Sequence, residues 1–186
     1  MSHYTNHREE IVQAAARLFR KGGYQATSMR QIAQAAGCSL SAPYYHFPQG
    51  KQALLAAVLD SYSQEWGRVA DRCDSAASPG DYLQTVAPPL LSVIRRAHWF
   101  IAESHSLPET ARQQVQHMLI TWQRSLAESL RRFSLTAQAA DDLAWIVLVT
   151  ALGLDSLTRW LQPEESASPV HPDQLEAVLA GLLAAH

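Results

Sequence analysis

Apolar residues recur three and four positions apart along most of the chain, and no strand alternation appears after residue 60, so each periodic segment predicts a helix. Over residues 8–21, Ile11, Ala14, Ala15, Leu18 and Phe19 share one face, and Gly22-Gly23 stops the segment. Met29, Ile32, Ala33 and Ala36 form the face of a second, short helix, opened by Thr27-Ser28 with Ser28 and Gln31 at capping-box spacing. Gly37, four residues after the small Ala33, predicts a left-handed stop and close packing of the helix that follows. Pro43 has no N–H and fits only a first turn, so the third helix starts at Ser39 to Ser41, with Ser39 or Ser41 as its cap. Tyr44, Tyr45 and His46 then place hydroxyls and rings on this short helix while Phe47 returns to the core. After Pro48-Gln49-Gly50, a fourth helix starts at Lys51 and carries Leu54, Leu55, Val58, Leu59 and Tyr62.

The helical period continues beyond Tyr62, and the class is all-α. Ser75, Ser78, Pro79 and Gly80 mark a boundary over residues 73–80. The next segment, residues 81–103, contains Pro88-Pro89, which must break or kink it. Ser106 and Glu109 are spaced as a capping box with Pro108 between them, opening a long helix that holds Val115, Leu119, Trp122, Leu126, Leu130 and Phe133 in register. Thr136 or a neighbour starts another, with Leu143, Ile146, Val147, Thr150, Leu154, Leu157 and Leu161 on its apolar face. Residues 162–172 read as a loop and 172–185 as a final helix with Leu175, Val178, Leu179, Leu182 and Leu183. These last two helices carry more apolar face than a small body covers.

Two helices meeting at a glycine turn, the second short and tipped with rings and hydroxyls, form a helix-turn-helix whose second helix is shaped to probe a major groove. Lys51 is a cation in a first turn, where the helix macrodipole disfavours it, which suggests a phosphate partner. Ile11, Ala15, Leu18-Phe19, Gly23-Tyr24, Thr27-Ser28, Ile32-Ala33, Ala36-Gly37, Ser39, Tyr44, His46-Phe47, Lys51 and Leu54 stand at the spacing of the TetR family of bacterial one-component regulators, which the first third of the chain resembles. It departs from that pattern at Cys38, where Val is usual, at Pro43, where Leu is common, and at Gly50, which lengthens the Phe47-to-Lys51 spacing by one and bears on the Lys51 contact. The resemblance implies a three-helix N-terminal head joined by a connecting helix to a larger helical body. The expected division is residues 5–66 for DNA binding and 75–186 for effector binding and dimerisation. It also implies that the final helices pair with their twins, which puts Leu154, Leu157, Leu179 and Leu182 at the dimer interface.

Charge supports a division of labour. The net charge of −2 argues against indiscriminate nucleic-acid binding, yet residues 1–60 hold six Lys/Arg against three Asp/Glu, and the remainder holds nine against fourteen. A basic head on an acidic body suits a site-specific DNA binder. Two cysteines, Cys38 and Cys73, imply no disulfide framework and suit a reducing compartment. The opening MSHYTNHREE has no apolar core, and the apolar run over residues 144–154 falls short of the roughly 20 residues a spanning helix needs. A soluble cytoplasmic protein without a membrane partner is expected. His98, His105 and His117 lack ligand spacing, and HExxH, CxxC and G-x-S-x-G are absent, so neither metal, cofactor nor enzyme activity is expected.

The expectation is a homodimeric, ligand-responsive transcriptional regulator, a repressor released from a palindromic double-stranded operator by a small apolar or aromatic effector. Thr27, Ser28, Tyr44 and Lys51 are expected at phosphates and Ser39, Ser41, Ala42 and Tyr45 at base edges, with Arg30 and His46 at either. Trp99, Phe100, Met118, Trp122 and Trp145 are the candidate effector wall, although a tryptophan on a helix is ordinary core more often than ligand lining. One rival keeps the DNA binding and makes the body a protein-interaction platform without an effector. Another makes the body an enzyme or cofactor carrier, which the absent catalytic motifs disfavour.

Overall fold

The computed structural model describes residues 3–73, 76 and 78–161. Among them the regular elements are helices: α1 (His3–Gly22), α2 (Met29–Ala35), α3 (Ser41–His46), α4 (Lys51–Cys73), α5 (Pro79–Ala102), α6 (Glu109–Arg131) and α7 (Ala137–Leu161), with a 3₁₀ turn at Ser104–Ser106 before α6. The fold is all-α, with an N-terminal helix-turn-helix and further helices after it. Among the described residues, no helix is long and apolar enough to cross a membrane.

Two compact units form. The first takes the chain up to Ser63 together with Trp99–Met118; the second takes Gln64–His98 and the chain from Leu119 on. In the first, Ile11, Ala14, Ala15 and Phe19 of α1 are buried with Ile32 and Ala33 of α2, Phe47 after α3, and Leu54, Leu55 and Val58 of α4. The returning stretch joins this core: Trp99 packs its ring 5.6 Å from Phe19, and Phe100 lies 5.7 Å from Tyr62. Arg8 stacks its guanidinium over Phe47 at 5.2 Å, tying α1 to the end of α3.

The second unit buries Trp66, Val69, Tyr82, Val86, Leu90 and Ile94 with Trp122, Leu126, Leu130, Leu143, Ala144, Val147 and Leu148. Trp66 and Trp122 stack at 5.4 Å, and Tyr82 meets Phe133 at 5.9 Å. Thr136 caps α7, its hydroxyl accepting the Ala139 N–H at 3.2 Å, as the sequence predicts.

Three local expectations give way. Helix α5 runs unbroken through Pro88-Pro89. Two missing N–H groups weaken its ladder there, but Pro88 is exposed and the following Leu90, Leu91, Val93, Ile94 and Ala97 are buried, so packing outweighs the local penalty. The Ser106–Glu109 capping box does not form: the Ser106 N–H and hydroxyl both donate to Glu103 O at 2.8 Å, and the Glu109 carboxylate takes Arg112 and Gln113. A 3₁₀ turn uses the serine that α6 would have needed. Nor do Ser39 and Ser41 cap α3; their hydroxyls bond each other at 3.0 Å, and Leu40 stands at the cap position without a side-chain bond.

Candidate nucleic-acid interface

The helix-turn-helix is built by short-range chemistry. Ser28 Oγ accepts the Gln31 N–H at 3.2 Å, and Gln31 Oε1 accepts the Ser28 N–H at 2.8 Å, so α2 begins with its capping box complete. Gly37 adopts φ +67°, which lets the Cys38 N–H turn back to Ala33 O at 3.0 Å and close the helix end. Pro43 is the third residue of α3, where its missing N–H disturbs no helical bond, and it is buried. With Pro43 and Phe47 turned inward, the rest of α3 faces outward: Ser39, Leu40, Ser41, Tyr44 and Tyr45 are exposed, Tyr45 at 73%. Ala42 and His46 are half-buried, the His46 ring meeting Tyr45 edge-on at 5.2 Å. On α2, Arg30 is exposed, as is Ser28 at its cap.

The loop between α1 and α2 differs. Thr27 is buried, and its hydroxyl donates to Gly23 O at 2.8 Å, with Leu18 O at 3.3 Å. The Lys51 ammonium donates to the carbonyls of Tyr24 (2.9 Å), Gln25 (3.2 Å) and Thr27 (3.0 Å) and lies 4.5 Å from the Tyr24 ring centroid. Burial pushes its pKa down. Both residues, expected at phosphates, are thus engaged inside the protein. Glu103 completes the arrangement by accepting the Tyr24 N–H at 3.2 Å, and Gln25 Nε2 donates to Ser106 O at 2.9 Å. Gly23 sits at φ +81°, and a Cβ there would lie 3.0 Å from the Glu103 carboxylate. Sequence reasoning passed over Glu103 and Gln25; the sole local hint was Gly23, whose residue type suits the conformation that brings Glu103 close.

The candidate effector residues are divided between the two units. Trp99, Phe100 and Met118 are buried in the first unit, where Trp99 and Phe100 pack against Phe19 and Tyr62. Trp122 is buried in the second, stacked on Trp66. Trp145 is 44% exposed on α7, beside the exposed Ile146 and Val149. Of the expected dimer residues, Leu154 and Leu157 belong to α7, and Leu179 and Leu182 lie outside the described residues.

A family profile described as bacterial regulatory proteins, tetR family, matches residues 11–58, the stretch from α1 through most of the first turns of α4. The HTH-type transcriptional regulator LmrA of Bacillus subtilis is 35% identical over 82 residues, 44% of each chain. The HTH-type transcriptional repressor KstR2 of Mycolicibacterium smegmatis is 31% identical over 91 residues, 49% of this chain and 44% of that one. These matches span less than half the length of either relative. Along nearly the whole chain the fold is that of a TetR transcriptional regulator from Legionella pneumophila, with a TM-score of 0.79 at 20% identity over 94% of this chain and 95% of that one. Residues 11–58 thus match the tetR-family regulators in sequence, and along nearly the whole chain the fold is that of a TetR-family structure.

Proposed function

We propose that this chain is a homodimeric, ligand-responsive repressor that holds a short two-fold operator through α3 and releases it when an effector binds the helical unit. The observation that carries the DNA reading is the division within α3: Pro43 is buried while Ser41, Tyr44 and Tyr45 stand exposed beyond a complete capping box and glycine turn. Ser28 and Tyr44 contact phosphates; Ser39, Ser41, Ala42 and Tyr45 face base edges; Arg30 and His46 serve either. Thr27 and Lys51 shape the loop behind them. Repression is supported by the similarity to KstR2, an HTH-type transcriptional repressor.

Dimerisation is supported by the exposed strip Trp145, Ile146 and Val149 on α7, an apolar surface that a second copy would cover and that a two-fold operator requires to be paired. In this reading Trp145 belongs to the interface, with Leu154 and Leu157 further along the same helix. The effector reading is supported by Trp66 and Trp122, whose indole N–H groups are buried with no hydrogen-bond partner among the described residues. An unsatisfied buried donor costs about 1–3 kcal/mol, part of which an acceptor oxygen on an aromatic ligand would recover.

The test is a fluorescence-anisotropy titration of the full chain against a duplex enriched from a random library. Affinity for the enriched duplex should exceed that for unrelated duplex by at least about 10³-fold. Equal affinity for both sinks the proposal. Sedimentation of Val149→Glu should show monomer where the wild type is dimer, and an unchanged dimer would remove α7 from the interface.

A further inference from the structure

Among the described residues of the first unit, the large apolar side chains left exposed are Leu40, Tyr44 and Tyr45, all within six positions of one another. Tyrosine suits such a place because its hydroxyl answers water. Leu40 has no polar atom and is still 53% exposed. A single exposed leucine needs no explanation in general, but this one has a specific setting. Its backbone, at φ −58° and ψ −27°, already has the helical conformation that α3 continues. Leu40 and Tyr44 are therefore four residues apart on one helical face. The hydroxyls of Ser39 and Ser41, on either side of Leu40, are bonded to each other. The head thus presents an isobutyl group at the tip of the helix assigned above to base edges, with no core residue drawing it in.

In a major groove one base-edge group matches that chemistry. Guanine, cytosine and adenine present only donors and acceptors, which a leucine leaves desolvated and unpaired; thymine adds a C5-methyl beside its O4 acceptor. We propose that Leu40 reads a thymine methyl, fixing one T·A pair in each half-site. The inference rests on the DNA-binding reading and adds to it a residue that is neither a phosphate anchor nor a hydrogen-bonding reader.

Replacing thymine by deoxyuridine removes the methyl and leaves base pairing intact, which gives a direct test. Each thymine of the duplex enriched by the full-length protein is replaced singly, and affinity is measured for wild type and Leu40→Ala. One position per half-site should weaken wild-type binding about fourfold, the value of burying one methyl-sized group. That same replacement should leave Leu40→Ala unaffected, and the other replacements should affect both proteins alike. Leu40→Gln, which brings a donor and an acceptor, should shift the preferred base at that position in a fresh enrichment. Because Leu40 is outside the core, both variants should melt with the wild type. Identical deoxyuridine profiles for wild type and Leu40→Ala overturn the thymine assignment while leaving DNA binding in place. Failure of the wild type to enrich any sequence overturns the DNA reading and this inference together.

Discussion

The loop from Gly23 to Thr27 and the helix from Ser41 to His46 lie in the same compact unit and are both rich in polar groups, yet they are opposites. In the loop the polar groups are answered within the protein. Thr27 bonds back to Gly23, Lys51 gathers three carbonyls, and Glu103 takes the Tyr24 N–H. In α3 the hydroxyls of Tyr44 and Tyr45 have no partner among the described residues, and the rings are exposed. Residues of similar chemistry therefore divide by bonding: the loop's polar groups are spent within the protein, and the tyrosine hydroxyls of α3 face outward.

Substitutions test that contrast most strongly at Lys51. Lys51→Met removes a charged donor from three carbonyls, and hydrogen bonds to charged groups contribute about 1.5–3 kcal/mol each before the carbonyls rehydrate, so a net loss of about 2–3 kcal/mol is expected. Chemical denaturation reads it. Unaltered stability, with weaker binding to every duplex and a shallower salt slope, would return Lys51 to the phosphates. Gly23→Ala combines a positive φ with a Cβ 3.0 Å from Glu103, and about 1–2 kcal/mol of destabilisation should follow. A variant as stable as the wild type would mean that Glu103 swings away freely. For Thr27→Val, loss of the hydroxyl's bond to Gly23 O should cost about 1 kcal/mol, and a null result would reduce that bond to coincidence. Tyr45→Ala should change stability least, within about 0.5 kcal/mol, because the ring is 73% exposed. It should nevertheless cost about 1–3 kcal/mol of base discrimination. A melting temperature lowered as much as in Thr27→Val would erase the distinction between the two regions.

What the sequence made legible was local. Ser28 with Gln31, the left-handed Gly37, Pro43 in a first turn and the Thr136 cap each involve residues a few positions apart, so spacing contains the whole interaction. The carbonyl bonds of Lys51 were not legible because their acceptors stand 24 to 27 residues upstream; a cation at a helix start looks alike whether it faces a phosphate or a loop. Ser106 illustrates a second limit, since a serine that matches one local motif was taken by another, the 3₁₀ turn. Pro88-Pro89 shows the third, a helix continued by burial that residue-by-residue propensity does not contain. Trp99 and Phe100 look like any aromatics on an amphipathic helix, and only the tertiary arrangement assigns them to Phe19 and Tyr62.

The assembly of the first unit from two separated stretches has a consequence for biosynthesis. A nascent chain that has emerged only as far as Ser63 holds α1, α2 and α3 but lacks the rings of Trp99 and Phe100 and the carboxylate of Glu103. At roughly 5–20 residues per second, the ribosome takes several seconds more to reach Met118. Through that interval Phe19 and Tyr62 await their partners. The core behind the helix-turn-helix, although most of it is encoded first, is completed only after a later part of the message has been translated.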